Sequence, residues 1–262
     1  MLMRKAKTAL ARMPILLSVL RRVFGPLQQR SGFRRLRRYC SLLPNRVQQP
    51  TFVIVGANDG ITEDPVSDIF LADTRWKGLL IEPVPFCFQR LAATFQDSQR
   101  FALEQVAIGK PSGSSSFYYV DQDATDDMNN RPFWFDQVGS FDRAHILRHL
   151  GGALERHIAE CTVAVRALGD ILQKHNIEHL HFLQIDTEGY DYEIIQTLDL
   201  ANDAPWAILV EHKHLSGVEK TAMLDLLRTN GYKVAPCGAF DYFAIHNRAQ
   251  LQELARDDAL SY

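Results

Sequence analysis

No apolar run in this chain of 262 residues approaches the roughly 20 residues that a membrane-spanning helix requires. The longest candidate, Met13 to Leu20, follows Arg12 and ends against Arg21 and Arg22. Those two arginines also stand where a secretory signal peptide would carry a small-residue cleavage site. We therefore expect a chain that neither crosses a membrane nor is secreted.

Cysteine is scarce, and no two of the four cysteines have the C-x-x-C spacing of a zinc site or a redox motif. The expected state is a reduced, cytoplasmic protein. A Walker loop and a G-x-S-x-G elbow are both missing, which leaves phosphoryl and acyl transfer without support. The 46% hydrophobic content and the length fit one α/β domain with an extension.

Acidic residues are missing from the first 58 positions, which hold twelve lysines or arginines. Positions 59 to 262 carry seventeen basic and thirty-one acidic residues, so the charge changes sign along the chain. This asymmetry predicts a basic extension over residues 1–50, joined to a catalytic domain over residues 51–262 that is acidic.

Apolar residues recur in the extension at steps of three and four, first from Leu10 to Leu27 and again from Phe33 to Leu43. Such spacing predicts basic amphipathic helices, which favours peripheral contact with an anionic membrane at the inner face. Two alternatives stay open. The extension packs on its own domain or on a partner, or it is a transit peptide that sends the protein to an organelle.

From Thr51 onwards, short apolar runs alternate with helical patterns, which predicts a doubly wound, mostly parallel sheet. The predicted strands are Phe52–Gly56, Gly78–Glu82, Phe101–Ile108, Ser115–Val120, His181–Asp186 and Ala207–Glu211. The predicted helices are Asp64–Leu71, Pro85–Phe95, Leu168–His175, Tyr190–Leu198 and Val218–Thr229.

Two further segments complete the pattern. Tyr232–Ala235 and Tyr242–His246 read as a terminal antiparallel pair. Residues 121–160 are too many for a simple connection, so we expect an insert over the strand ends that binds the acceptor.

Ligands of open α/β sheets bind beyond the carboxyl ends of the strands, and here those ends are polar. A glycine turn, Gly56 to Gly60, follows the first strand, and Glu82 ends the second. A carboxylate in that place suits the ribose hydroxyls of a nucleoside cofactor. The turn reads G-x-x-x-G, whereas a pyrophosphate loop reads G-x-G-x-x-G. Asp59 would repel a diphosphate and suits the ammonium of a methionine moiety, which disfavours a nicotinamide cofactor.

Four segments in this order and spacing resemble the FkbM-type methyltransferases: 53–60 (VIVGANDG), 81–83 (IEP), 106–109 (VAIG) and 183–193 (LQIDTEGYDYE). The resemblance covers roughly residues 51–246. It implies a class I methyltransferase (Rossmann-like) fold, for which an antiparallel pair at the end of the sheet is usual. It also implies S-adenosylmethionine as cofactor and O-methylation of acceptors that include sugars and polyketides.

Residue roles carry over by motif. The resemblance places Gly56, Asn58 and Gly60 along the methionine part, Glu82 on the ribose and Asp186 facing the methyl donor. Gln105 stands where many members have Asn, so its contact with adenine is carried over from a position that differs.

A hydroxyl acceptor must also lose its proton, and a base must come within about 3 Å of the acceptor oxygen. Asp186, Glu188 and His212 are the catalytic candidates, because Asp186 has the best position and histidine the best intrinsic pKa. Glu211, His214 and His145 remain alternatives.

A magnesium ion held by Asp186 and Glu211 could instead lower the pKa of the acceptor. His145 and His149 have the i, i+4 spacing of a helical metal pair. No glutamate follows His145 and no third ligand is evident, so we interpret both as structural or surface histidines.

The sequence thus predicts an S-adenosylmethionine-dependent O-methyltransferase that acts on a hydroxyl of a sugar, a glycolipid or another small molecule. We expect it in the cytoplasm, with no nucleic-acid partner. The alternatives are a membrane-associated binding protein on the same fold that has lost catalysis and, with less support, a nicotinamide-dependent oxidoreductase.

Overall fold

The computed structural model describes residues 31–122, 124, 135–150 and 154–249. The first apolar series of the basic extension, which ends at Leu27, lies outside the described residues, as does the middle of the expected insert. Within the described part of the chain, no helix is long and apolar enough to cross a membrane.

In the described part of the chain, the main sheet has seven strands in the order β10-β11-β9-β8-β1-β2-β3. Neighbours pair in parallel except at β11, which runs antiparallel to both β10 and β9. The strands are β1 (Thr51–Val55), β2 (Lys77–Ile81), β3 (Phe101–Glu104), β8 (Phe182–Ile185), β9 (Ala207–Glu211), β10 (Tyr232–Cys237) and β11 (Asp241–His246). This is the predicted class I methyltransferase architecture. The antiparallel strand is the last in sequence but lies second from the edge.

Seven helices in the described residues accompany the sheets. They are α1 (31–42), α2 (Ser67–Ala72), α3 (Pro85–Thr94), α4 (Arg143–Leu150), α5 (Leu168–Lys174), α6 (Asp191–Gln196) and α7 (Gly217–Thr229). A capping box starts α7, where Ser216 accepts from the backbone of Glu219 and the Glu219 side chain accepts from Ser216. The helices predicted after residue 60 are all present, with ends that differ by a few residues.

A second sheet, in the order β4-β7-β5-β6, was only partly predicted. Its strands are β4 (Ala107–Ile108), β5 (Gly113–Val120), β6 (Gly139–Ser140) and β7 (Ile158–Arg166). The single strand predicted over Phe101–Ile108 is wrong, because the chain leaves the main sheet after Glu104 and joins the second sheet at Ala107. The predicted end of the insert at residue 160 falls inside β7.

The part of the predicted extension that the structure describes packs against the domain that follows it. Leu36, Tyr39 and Leu43 are fully buried, and the Tyr39 hydroxyl donates to the carbonyl of His181 at 2.7 Å. Helix α1 is therefore part of the folded domain. The second apolar series faces the protein core.

The strands carry apolar side chains on both faces, as expected for a sheet covered by helices on both sides. Along β1, Val53 and Val55 belong to one core cluster and Phe52 and Ile54 to the other. Phe52 stacks on Phe70 of α2 with ring centroids 4.0 Å apart. The buried sheet gives the polar residues that follow its strands a rigid support.

Candidate functional site

A cavity of about 1030 Å³ opens at the carboxyl ends of β1, β2, β8 and β9. Its lining combines the glycine turn after β1, the loops after β8 and β9, and residues of the insert from Asp136 to His149. This is the position at which open α/β sheets bind their ligands. The insert borders the cavity, as the sequence predicted.

The turn after β1 meets the end of β2 at the cavity wall. Gly56 and Asn58 both have positive φ, +80° and +47° respectively, a region that glycine enters freely and asparagine tolerates. The backbone N–H of Asn58 donates to Oε2 of Glu82 at 2.9 Å. The Asn58 side chain donates to the carbonyl of Asp136 at 3.1 Å, which joins the turn to the insert.

Glu82 is 5% exposed and lines the cavity. Its Oε1 accepts from the backbone N–H of Val84 at 2.8 Å. Burial raises its pKa to about 7, although the two backbone hydrogen bonds and the charge of Arg90 act in the opposite direction. The structure therefore brings Glu82 and the glycine turn together.

Three predicted cofactor contacts lie away from the cavity lining. The Asp59 carboxylate accepts from the backbone of Ile61 at 2.9 Å and from that of Thr62 at 2.8 Å, which closes its own loop. Gly60 sits where a side chain would collide with the ring of Phe95. Gln105 is exposed and is not part of the cavity lining, whereas its neighbours from position 106 to 108 line the cavity.

Carboxylates gather at the floor of the cavity. Asp186, Glu188, Glu211 and Asp241 line it, and Asp191 lies buried beneath. The surrounding protein and then the charge of Glu188 raise the pKa of Asp186 well above its usual range, although its side chain is accessible from the cavity. Burial and the charge of Asp186 raise the pKa of Glu211 to about 10. The carboxylates of the floor thus disfavour one another's ionised forms.

Glu188 has a backbone φ of +54°, which is unusual for a residue with a side chain. Its Oε2 lies 3.0 Å from Nε2 of His214 and 3.9 Å from Nε2 of His145. Burial alone would raise the pKa of Glu188, yet these two imidazoles lower it to about 2. Glu188 is therefore ionised and faces histidines.

Three histidines surround this carboxylate. The ring centroids of His145 and His214 are 5.1 Å apart, and those of His149 and His214 are 4.6 Å apart. His145 and His149 come from α4 of the insert, whereas His214 follows β9. His145 and His149, which the sequence analysis interprets as structural or surface histidines, have further polar neighbours that the fold brings from distant segments.

His212 does not line the cavity. Its ring packs on Tyr242 with centroids 4.1 Å apart, and burial lowers its pKa. The chain leaves the strand after Glu211, so the next side chains to face the cavity are those of Lys213 and His214. The prediction of His212 as a catalytic base has no support from this geometry.

The comparisons with known proteins agree with the architecture. A family model described as the methyltransferase FkbM domain matches residues 55–234. The chain belongs to the FkbM methyltransferase family. This is an S-adenosylmethionine-dependent enzyme family, as the four motifs implied. Among curated proteins, none matches this chain significantly.

Solved structures of other methyltransferases share little sequence with this FkbM member. One METTL16 methyltransferase domain has 10% identity and a TM-score of 0.42 over 78% of this chain and 62% of that chain. An N-terminally shortened form of the METTL16 domain has 11% identity and a TM-score of 0.42 over 88% of this chain and 92% of that chain. Aeropyrum pernix fibrillarin, with natively bound S-adenosyl-L-methionine, has 10% identity and a TM-score of 0.36 over 79% of this chain and 72% of that chain. The chain thus spans less than two thirds of the length of the first of these domains. TM-scores below 0.5 carry no argument about function.

Proposed function

We propose that this FkbM family member transfers a methyl group from S-adenosylmethionine to a hydroxyl of a sugar, a glycolipid or another small acceptor. The observation that carries the proposal is the acidic floor of the cavity beside the glycine turn. Asp186 and Glu211 repel each other there, so a bound cation would relieve the repulsion. S-adenosylmethionine carries a sulfonium and an ammonium group.

The residues around the turn suit this cofactor. Glu82 keeps lone pairs beyond its two backbone hydrogen bonds, and it borders the cavity where ribose hydroxyls can donate to it. Gly56 and Asn58, whose positive φ angles shape the turn, line the cavity beside Glu82. When bound, the cofactor supplies a methyl carbon already activated by the sulfonium. The chain itself must bind, orient and exclude water.

Asp186 is the best-placed group to accept the proton of the acceptor. It lines the cavity directly after β8, and its side chain is exposed there. Glu188 is held by His145 and His214, so it is less free to act as a base. A cation next to Asp186 favours its ionised form, which is the form that accepts a proton.

An aromatic wall stands beside this floor. Phe141 packs edge-on against Phe117 and Tyr190, with centroids 5.1 and 5.7 Å away, and all three line the cavity. Flat rings next to polar groups suit the apolar face of a sugar ring, which supports a carbohydrate-like acceptor. Peripheral contact with an anionic membrane through residues 1–30 would bring glycolipid acceptors near.

The test is a binding and transfer experiment with the full chain. Calorimetry with S-adenosylhomocysteine should give one site per chain and a raised melting temperature. S-adenosylmethionine with a labelled methyl group should then transfer label to at least one member of a panel of sugars, glycolipids and small alcohols. Binding without any transfer would favour the inactive binding protein, and absence of binding would overturn the cofactor assignment.

A further inference from the structure

We propose that His145, His149, Glu188 and His214 form a binding site for one Zn²⁺ or a similar divalent transition metal. Each offers one ligand atom, and the four atoms lie within 4.8 Å of one another. Four tetrahedral ligand atoms of zinc lie about 3.3 Å apart at zinc–nitrogen distances of 2.0 to 2.1 Å. Shifts of about 1 Å in these side chains would therefore complete the coordination shell.

Three of the four ligand atoms converge on one point inside the protein. Nε2 of His145, Nε2 of His214 and Oε2 of Glu188 are buried atoms, and Oε2 of Glu188 lies 3.0 Å from Nε2 of His214 and 3.9 Å from Nε2 of His145. Imidazole nitrogens and a carboxylate oxygen are the ligand atoms that zinc prefers. One bound cation would accept a lone pair from each of these three converging atoms.

The local backbone is arranged for this convergence. Glu188 adopts a φ of +54° and Gly189 a φ of +107°. A Cβ on Gly189 would come within 3.3 Å of His214 and 3.6 Å of His145. The missing side chain of Gly189 and the turned backbone of Glu188 therefore let both imidazoles approach the carboxylate.

Donor type and number decide the class of metal and its role. Three imidazoles and one carboxylate suit zinc and its neighbours, whereas magnesium prefers oxygen ligands, so this site differs from the Asp186 and Glu211 pair considered above. Four protein ligands fill a tetrahedral shell, which is the pattern of structural zinc sites. The bound metal would fasten α4 of the insert to the loops after β8 and β9.

The surrounding charges are compatible with metal entry. Glu211 lies 3.9 Å from His214, and the acidic floor adds negative charge. Nζ of Lys213 lies 3.3 Å from Nε2 of His149. The Lys213 side chain is exposed, so it can turn into solvent when a cation takes its place.

The experiment uses the untagged full chain, stripped with chelator and titrated with Zn²⁺ and Co²⁺. We expect one metal per chain by elemental analysis, the strong visible absorption of four-coordinate Co²⁺, and slower hydrogen exchange in α4 when zinc is bound. His145→Gln, Glu188→Gln and His214→Gln should each weaken zinc binding by about 100-fold or more. His179→Gln, an exposed histidine outside the cluster, should leave the affinity unchanged.

Two measurements of metal binding would contradict the zinc site. A wild-type chain that is folded by circular dichroism but binds neither ion would overturn it, and so would cobalt absorption that survives in the folded His145→Gln and His149→Gln double variant. Metal binding is measured without cofactor or acceptor. The result therefore stands apart from the proposed methyl transfer.

Discussion

Gly56 lies against the backbone carbonyl of Asp186, so that a methyl group added to Gly56 would overlap that oxygen. The contact joins the end of β1 to the end of β8 and brings the glycine turn next to the acidic floor. The glycine of this motif is thus explained first by close packing of two strands. Its positive φ is a second, independent reason for glycine.

Gly56→Ala should therefore destabilise the protein by several kcal/mol, because it combines a collision with a strained backbone. Urea unfolding followed by circular dichroism measures the change. Gly169→Ala is the matched control, since Gly169 lies in α5 with open space where its side chain would be. There we expect equal or slightly greater stability, by up to about 1 kcal/mol. Equal effects of both substitutions would contradict the packing argument.

Glu82→Gln should weaken S-adenosylhomocysteine binding by about 1 to 3 kcal/mol, through the loss of charge-assisted hydrogen bonds to the ribose. Calorimetry gives the difference directly. Glu178→Gln, at an exposed glutamate, serves as the control. An unchanged affinity in the first variant would remove Glu82 from the site.

The raised pKa of Glu82 also predicts a pH dependence. Its ordinary value is 4.5 and its value in the fold is about 7, so its contribution to stability is present below pH 4.5 and is lost as the pH rises through about 7. Ribose hydroxyls donate to the ionised form. Cofactor affinity should therefore rise about tenfold between pH 6 and pH 8. Arg90 and Cys87 are the nearby titratable groups, and a rise that persists in Glu82→Gln would assign it to another group.

Asp186→Asn should lower turnover by on the order of a hundredfold or more, while the fold and the affinity for S-adenosylhomocysteine remain close to those of the wild type. Turnover is measured with an acceptor found by the labelled-methyl screen. Asp170→Asn, at an exposed aspartate of α5, provides the comparison. Wild-type turnover in Asp186→Asn would refute its role as a base.

Removal of residues 1–49 should unfold the domain, because it strips Leu36, Tyr39 and Leu43 from the core. Loss of one such large side chain typically costs about 2 to 5 kcal/mol, against a total stability of about 5 to 15 kcal/mol. A chain that starts at Ser31 should keep its cooperative thermal transition. A stable, cooperative chain that starts at Pro50 would show that α1 is dispensable.

Residues 1–30 carry seven lysines or arginines and no acid, so we expect the full chain to bind anionic vesicles at low salt. Each basic residue near the surface contributes about 1 kcal/mol, and salt screens this attraction. Co-sedimentation should show binding that falls steeply with added salt and that is lost in the chain starting at Ser31. Equal binding of both chains would place the membrane contact elsewhere.

The sequence allowed most of the main sheet to be predicted, because its strands are short apolar runs separated by helical patterns. The strand Ala207–Glu211 was located to the residue. The second sheet was harder to foresee. In Ile158–Arg166 polar and apolar side chains alternate irregularly, and this strand pairs with Gly113–Val120 only through the tertiary fold.

The candidate site shows the same difference between features set by local sequence and features set by the tertiary fold. Glu82 and Asp186 follow strands that the sequence predicts, and both line the cavity. The histidine cluster was missed because its members come from α4 and from the segments after β8 and β9, so their approach depends on how the insert folds back. Only the i, i+4 spacing of His145 and His149 signalled it.

The place of β11 between β9 and β10 has a consequence for how the chain folds. The final strand of the described residues must enter the middle of one side of the sheet, so the sheet stays incomplete until Asp241–His246 has been synthesised. Tyr39 of α1 packs edge-on against Phe243 of that strand, with centroids 5.9 Å apart. Helix α1 therefore completes its packing only after β11 is in place. Contacts this distant in sequence favour slow, cooperative folding.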